Sequence, residues 1–256
     1  VGGDDVSELT VTVNEMLDRL QASLEGQRQL LDNVGHELKT PITIVRGQLE
    51  LLEVDDPSQV AEIRALAIDE LDRMNLLVAD ISLLASVQRR SGVRMEPTDV
   101  RSLTETVYRK LSAIPGRDWR LMETADAVAE IDPARITQAW VQLAANANRH
   151  GTPGLPIEIG SRVVEDVGEE FLELWVTDFG PGIAPDAHER IFERFRREEE
   201  GRSESGAGLG LAIVTTIIHA HRGVVRLESA PTIGSTFTLE LPLGPAFARS
   251  ESERGK

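Results

Sequence analysis

The stretch Leu31-Asp32-Asn33-Val34-Gly35-His36-Glu37-Leu38-Lys39-Thr40-Pro41 combines the apolar spacing of a helix with side chains suited to group transfer. His36 offers an imidazole nucleophile, Glu37 beside it an acid, and Thr40 a hydroxyl one helical turn later on the same face. A zinc-protease site is excluded, because the motif His-Glu-x-x-His needs a second His where Thr40 stands. An exposed helix surface without a function also explains a His-Glu pair, so the functional interpretation requires a complementary site elsewhere in the chain.

The composition favours two globular domains. The 256 residues suffice for one large or two ordinary domains, and 41% hydrophobic with 27% charged residues is typical of globular chains.

No apolar stretch approaches the roughly 20 residues of a membrane span. A net charge of -16 disfavours a nucleic-acid partner, and the absence of Cys excludes disulfides. With no initiator Met and no targeting segment, we expect a fragment of a longer protein.

The first third of the chain has a helical period. From Leu9 to about Val87 apolar residues recur every three or four positions, which predicts one very long helix, or two in series, and then a returning helix. The turn signal Asp55-Asp56-Pro57-Ser58 separates them, and we expect Ser58 to cap the returning helix, which ends near Ser91-Gly92. Heptad-like spacing predicts that two such hairpins form a four-helix bundle in a homodimer. Packing against the second half of the chain is the alternative.

After Pro97 short strand-like runs alternate with helical windows, which predicts a mixed α/β sandwich. The helical windows are Val100–Leu111, Pro133–Arg149 and Leu211–Ala220. The strand-like runs are Trp119–Met122, Val128–Ile131, Ile157–Val164, Phe171–Val176, Val224–Glu228 and Thr236–Leu241. The tail from Gly244 to Lys256 has little structure-forming content, and we expect it to be mobile.

Four clusters in this half contain residues suited to nucleotide, phosphate or metal binding. They are Asn146-Ala147-Asn148-Arg149-His150, Asp178-Phe179-Gly180-Pro181-Gly182, Phe192-Glu193-Arg194-Phe195 and Gly206-Ala207-Gly208-Leu209-Gly210-Leu211. Each alone is also explained by exposed helix or by turns. The last is not the dinucleotide motif Gly-x-Gly-x-x-Gly, because Leu211 holds the final position.

In order and spacing, the His36 stretch and these four clusters resemble the H, N, glycine, F and second glycine boxes of the sensor histidine kinases of two-component systems. The resemblance covers nearly the whole chain. It implies the end of a HAMP-like signalling helix in residues 1–22 and a dimerisation and histidine-phosphotransfer hairpin in 23–92. A catalytic ATP-binding sandwich of the Bergerat type in 97–243 and a tail in 244–256 follow. The implied fold class is α plus α/β, with the hairpin forming a dimeric four-helix bundle.

The resemblance implies ATP and Mg²⁺ as cofactors. Asn146 matches the metal-binding Asn, and its amide oxygen is a hard ligand of the kind Mg²⁺ accepts. Asp178 matches the residue that reads the adenine amine, the glycines before Leu211 suit phosphate at a helix start, and Arg196 to Ser205 resembles a lid. The implied ATP-binding residues are Asn146, Arg149, His150, Asp178, Gly180, Gly182, Arg194, Gly206, Gly208, Leu209 and Gly210.

For the His36 stretch the resemblance implies autophosphorylation of His36 by ATP, with Glu37 as base, and transfer to an aspartate of a response regulator. Thr40 implies phosphatase activity toward that regulator. The parent protein would be a bacterial membrane sensor, and this chain its cytoplasmic portion. A non-catalytic dimeric scaffold that binds nucleotide is the alternative, and it predicts no phosphorylation of His36.

Overall fold

The computed structural model of the chain describes residues 4–52, 56–87, 93–192 and 208–243. The chain divides into two compact units, Val1–Leu77 and Val78–Lys256. The predicted lid and the predicted mobile tail lie outside the described residues.

The first unit is helical. Helix α1 spans Asp4–Glu50 and continues through Pro41, although the ring nitrogen of Pro41 cannot donate a hydrogen bond to the helix. Pro41 is buried. Helix α2 spans Pro57–Val87 and therefore crosses into the second unit. Of the two sequence alternatives, one very long helix is the correct one as far as Glu50. The predicted end of α2 at 91–92 lies outside the described residues.

Asp56, and not Ser58, caps helix α2, so that detail of the sequence prediction is wrong. The carboxylate Oδ1 of Asp56 accepts hydrogen bonds from the backbone N–H of Ser58 at 2.9 Å and of Gln59 at 3.2 Å. Pro57 is the first helical residue, where its missing N–H costs nothing. A carboxylate one residue before Pro57 can reach the free N–H groups of the first turn, whereas Ser58 already lies inside that turn.

Among the described side chains of α2, the buried ones follow a heptad. Ile63, Glu70 and Leu77, seven residues apart, are 6%, 8% and 6% exposed. Both helices also expose large apolar side chains, namely Val13, Met16, Leu17, Leu31, Ile42, Ile44 and Leu49 of α1 and Leu66, Ile68, Leu71 and Val78 of α2. Apolar surface on this scale favours a further partner for the helices.

The described residues of the second unit contain the strands β1 Glu96–Asp99, β2 Trp119–Glu123, β3 Val128–Ile131, β4 Ile157–Asp166, β5 Glu169–Asp178, β6 Val224–Ala230 and β7 Gly234–Pro242. Five of them form one sheet in the order β2-β4-β5-β7-β6, and β1 and β3 form a separate pair. Strands β2 and β4 are parallel, and every other pairing is antiparallel. The six predicted strands are confirmed; β1 was not predicted.

Three helices complete the sandwich: α3 Val100–Ser112, α4 Pro133–His150 and α5 Gly210–Ala220. Alternate residues of β5, Leu172, Leu174 and Val176, are buried, as expected for a strand with one face against a core. The same alternation buries Asp178 at the last position of β5, a polar residue at the end of an apolar series. Short 3₁₀ turns at Pro185–Ala187 and Arg190–Phe192 follow.

Within the described ranges, none of these helices combines the length and the apolar character that crossing a membrane would require.

Candidate functional site

His36 is exposed on α1 and lies in a shallow surface groove. The groove is lined by His36, Lys39, Thr40, Thr43 and Ile44, which share one helix face because they are spaced by three and four residues. The helix therefore presents the imidazole to solvent with one cationic and two hydroxyl side chains beside it. The side chain of Glu37 lies outside the described part of the chain, so its predicted role as base stays a prediction.

The hydroxyls of this face are bonded to the helix backbone. Thr40 Oγ1 donates to the carbonyl oxygen of His36 at 3.4 Å, and Thr43 Oγ1 donates to that of Lys39 at 2.8 Å. Both Thr side chains are exposed, so each hydroxyl oxygen keeps acceptor capacity toward solvent. Thr40 is thus available beside His36, as predicted from the four-residue spacing.

Asp178 ends β5 and folds its side chain back onto the following loop. Its Oδ1 accepts a hydrogen bond from the backbone N–H of Gly180 at 2.8 Å. Burial raises the pKa of Asp178 above its ordinary value, while the Gly180 N–H, positive charge on His150 and the Ser235 N–H oppose that rise. Burial of a carboxylate costs free energy unless hydrogen bonds compensate it, and the Gly180 N–H supplies one such bond to Asp178.

The loop after Asp178 is held against the β6–β7 hairpin. Backbone Ile183 N donates to Ser229 Oγ at 2.8 Å, and Ser229 Oγ donates to the Gly234 carbonyl at 2.8 Å. A Cβ on Gly182, which has φ +72°, would lie 1.9 Å from the Ala230 carbonyl oxygen. Glycine is therefore required there by both backbone conformation and close approach.

Helix α4 brings the predicted metal ligand to its last turn. Asp132 caps its start by accepting from Arg135 N at 3.0 Å. Asn146 is half-buried, and its side chain makes no hydrogen bond with the part of the chain that the structure describes. The other Asn of the cluster is committed, because Asn148 Oδ1 accepts from Arg117 Nε at 2.7 Å. Within the described residues, the Asn146 amide is thus free at both its oxygen and its nitrogen, whereas the Asn148 oxygen already binds Arg117.

The start of α5 lies beside α4. A Cβ on Gly210 would approach Gln142 Nε2 to 2.5 Å, and Gln142 is one turn before Asn146 on the same face of α4. The residue before α5, Leu209, makes no side-chain cap to the helix, so within the described residues no side-chain cap occupies the first N–H groups of α5, which suit an anionic acceptor. Leu209 is itself 1% exposed, so only its backbone can contact a ligand.

The structure thus places His150, at the C-terminal end of α4, beside Asp178 and Gly180, and it places Gly210 beside Gln142, one helical turn before Asn146. Arg149 and His150 are exposed, and Gly208 has φ +65°. The predicted residues Arg194 and Gly206 lie outside the described residues. No group of three or more His, Asp or Glu side chains that suits a metal occurs within the described ranges. A metal at Asn146 would depend on water and phosphate oxygens for its other ligands.

Sequence reasoning missed the residues that support this site from a distance. Ser229 and Gly234 brace the Asp178 loop, and Arg117 binds the end of α4. His221 is 5% exposed, and its Nε2 accepts a hydrogen bond from Asp132 N, the residue that caps α4, at 3.0 Å. Among these residues, the sequence offered a signal only at Gly234, because a glycine at a strand indicates that another part of the backbone approaches closely.

Two family models match the chain in sequence order. Residues 26–90 match the His Kinase A (phospho-acceptor) domain. Residues 131–245 match the Histidine kinase-, DNA gyrase B-, and HSP90-like ATPase. The chain belongs to the sensor histidine kinases of two-component systems.

Relatives and solved structures agree with this family. The chain is 33% identical to "Probable sensor histidine kinase TcrY" of Mycobacterium tuberculosis over 252 residues, 93% of this chain and 52% of the relative. It is 33% identical to the histidine-protein kinase/phosphatase MprB of Mycolicibacterium vanbaalenii over 270 residues, 99% of this chain and 54% of the relative. The Acinetobacter baumannii histidine kinase AdeS superposes with a TM-score of 0.60 at 25% identity, covering 82% of this chain and 98% of that one. The chain spans about half the length of the curated relatives it matches.

Proposed function

We propose that this chain is the catalytic portion of a sensor histidine kinase, which phosphorylates His36 from ATP and passes the phosphoryl group to an aspartate of a response regulator. The observation that carries the proposal is His36 itself, an exposed imidazole on α1 inside the segment that matches a phospho-acceptor domain. The second family model supports ATP as the donor, because it describes an ATPase.

In the nucleotide site, Asp178 accepts a hydrogen bond from the adenine amine. Its carboxylate is buried and already fixed by the Gly180 N–H, so it can discriminate a donor from an acceptor on the base. The first N–H groups of α5, after Gly208 and Leu209, bind phosphate oxygens. Asn146 would hold Mg²⁺, which supplies neutralisation of phosphate charge.

The chemical step transfers one phosphoryl group. A neutral imidazole nitrogen of His36 forms the new P–N bond as the bond between the γ-phosphorus and the bridging oxygen of ADP breaks, and the bond electrons stay with ADP. The proton on the other ring nitrogen leaves to Glu37, the neighbouring acid. Exposure of His36 serves both partners in turn, since donor and acceptor must each reach the same nitrogen.

The direct test is incubation of the chain with Mg²⁺ and ATP labelled at either the γ- or the α-phosphate. We expect label on the protein from γ-labelled ATP only, none in EDTA, and loss of label in acid but not in alkali. No label, with ADP binding intact, would support the scaffold alternative and contradict the kinase. Acid-stable label would identify a hydroxyl-directed kinase instead.

Asp178→Asn should separate stability from nucleotide binding. Burial raises the pKa of Asp178, so the folded chain binds the proton of this carboxyl more tightly than the unfolded chain does. The free energy of unfolding therefore falls as pH rises from the ordinary pKa of Asp through the raised pKa of the folded state. The amide removes this cost and keeps an oxygen for Gly180 N–H. We therefore expect the variant to unfold at higher urea concentration than the parent at pH 7, with the difference closing in acid.

The same Asp178→Asn variant should bind ADP about 10- to 100-fold more weakly, because a hydrogen bond to a charged group contributes about 1.5–3 kcal/mol. Calorimetric titration with ADP measures this, and urea unfolding at several pH values measures the stability. Parental affinity for ADP would refute the adenine contact, and lower stability at pH 7 would refute the cost assigned to burial.

Thr40→Ala should lower phosphatase activity while leaving autophosphorylation of His36 within about twofold, because the hydroxyl orients water rather than ATP. The name of MprB, a kinase/phosphatase, supports this second activity. Thr43→Ala is the matched control, since Thr43 lines the same groove and makes the same bond to the helix backbone. Decay of the phosphorylated regulator measures the effect. Equal decay with all three proteins would refute the role of Thr40.

The assembly follows from the uncovered apolar side chains of α1 and α2. A second copy would cover them in a dimeric four-helix bundle, the usual solution for a two-helix unit. Residues 1–22 would continue a HAMP-like signalling helix, residues 23–92 form the phosphotransfer hairpin, and 97–243 the ATP-binding domain, with a tail in 244–256. In the parent protein this portion would lie in the cytoplasm below a membrane sensor.

A further inference from the structure

Arg117 lies between α3 and β2, outside every motif of the family resemblance. Its guanidinium forms an unusually complete set of hydrogen bonds with the end of α4. Nε donates to Asn148 Oδ1 at 2.7 Å, Nη1 donates to the Thr152 carbonyl at 3.0 Å, and Nη2 donates to the carbonyls of Asn148 and of Gly151, the latter at 3.0 Å. One side chain thus satisfies three carbonyl oxygens and one amide oxygen.

The C-terminal end of α4 is stabilised by a cationic hydrogen-bond donor such as the Arg117 guanidinium. The last carbonyls of α4 have no partner within the helix, and they carry the negative end of its dipole. Gly151 N closes the helix onto the Ala147 carbonyl at 2.8 Å. The cation of Arg117 then holds the Asn148 and Gly151 carbonyls, so that position and charge both complement the terminus.

This terminus forms a wall against the loop that carries Asp178. A Cβ on Gly180 would lie 2.6 Å from the His150 carbonyl oxygen and 3.3 Å from Gly151 Cα. A Cβ on Gly151 would lie 3.5 Å from Asp178 Cβ. No side chain separates the end of α4 from the Asp178 loop, so a displacement of one must move the other.

We propose that Arg117 is a positioning residue for nucleotide recognition: by fixing the last turn and cap of α4, it fixes the wall beside Asp178 and Gly180 that sets the fit of the base. This inference rests on the proposed function of the site. It concerns the base end of the nucleotide, because the contacts of Arg117 lead to His150, Gly151 and Asp178 rather than to the start of α5.

The test compares ADP and GDP binding by the full chain and its Arg117→Ala and Arg117→Lys variants. We expect Arg117→Ala to bind ADP about 10-fold more weakly and to lose part of the preference for ADP over GDP. Lys keeps the charge but has one nitrogen for four acceptors, so about a threefold loss is expected. A residue that merely stabilises the fold would lower the folded fraction without changing the ratio of the two affinities.

Two further variants keep the test decisive. Arg120→Ala is the matched control, because this substitution removes the same charge near the start of β2. Arg120 is exposed and pairs with Asp118 at 2.7 Å. The variant should bind ADP as the parent does. Asn148→Ala deletes only the amide oxygen that accepts from Arg117 Nε. Its affinity for ADP should lie between that of the parent and that of Arg117→Ala.

The outcomes separate the two proposals. If the parent chain binds no ADP, the proposed function fails and this inference with it. If the parent prefers ADP and the folded Arg117 variants keep both the affinity and the preference, the positioning role alone is overturned. If Arg117→Ala does not fold, Arg117→Lys and Asn148→Ala decide, and parental binding by both overturns the role.

Discussion

His36→Gln should reduce phosphorylation of the chain by γ-labelled ATP to the background of the assay. Gln keeps the approximate size and polarity of the side chain on an exposed helix face, yet it offers no nucleophilic nitrogen to the γ-phosphorus. Helix α1 should be unaffected, because Gln is a better helix former than His. Nucleotide binding should also be unchanged, since the imidazole is not part of the ATP site.

The control for this variant is His219→Gln. His219 is the exposed His of α5, so the substitution makes the same chemical change at an accessible site within the ATP-binding domain. It should leave the label at the parental level. Full label in His36→Gln would contradict the assignment of the acceptor, and loss of label in both variants would point to a general effect of the substitution.

Asn146→Ala should lower the rate of Mg²⁺-dependent phosphorylation about 100- to 1,000-fold, the range found when one preorganised polar group is removed from a reacting site. The amide of Asn146 is half-buried on the last turn of α4 and makes no hydrogen bond within the described part of the chain, so its loss should not destabilise the fold. Ala is also the best helix former. The effect should therefore fall on catalysis alone.

Two measurements separate this role from a general defect. ADP binding in EDTA should match that of the parent, because the base pocket at Asp178 is untouched. Asn146→Asp should recover part of the activity, since a carboxylate is also a hard oxygen ligand of Mg²⁺. Unchanged dependence on Mg²⁺ in Asn146→Ala would rule out the metal role, and equal loss of ADP binding in EDTA would mean that the pocket itself had changed.

The parts of the fold predicted from sequence are those with a local period. Alternation of apolar and polar residues along Phe171–Val176 and Thr236–Leu241 predicted strands β5 and β7 because one face of each is buried. Strand β1 was missed because it is four residues long, contains Pro97 and exists only through its pairing with β3. The cap of α2 was misplaced by two residues, which is the usual uncertainty at a helix end.

The candidate site divides in the same way. The residues to which we assign chemical roles, His36, Asn146 and Asp178, could be proposed from the sequence because their residue types stand at a characteristic spacing. The roles of Arg117 and Ser229 could not be inferred from the sequence, because their hydrogen-bond partners lie 31 residues away at Asn148 and 46 residues away at Ile183. Only the fold brings such residues together. The raised pKa of Asp178 is likewise a property of burial, which the sequence alone does not quantify.

Fragmentation of peptides kept at neutral to alkaline pH can locate the phosphoryl group after reaction of the chain with Mg²⁺ and ATP. We expect a single modified residue, His36, bearing the group on a ring nitrogen. Thr40 lies one helical turn away in the same groove and provides the sharpest internal comparison. Phosphate on Thr40 or on any other hydroxyl, with His36 unmodified, would contradict the assignment of His36 as the phosphoryl acceptor.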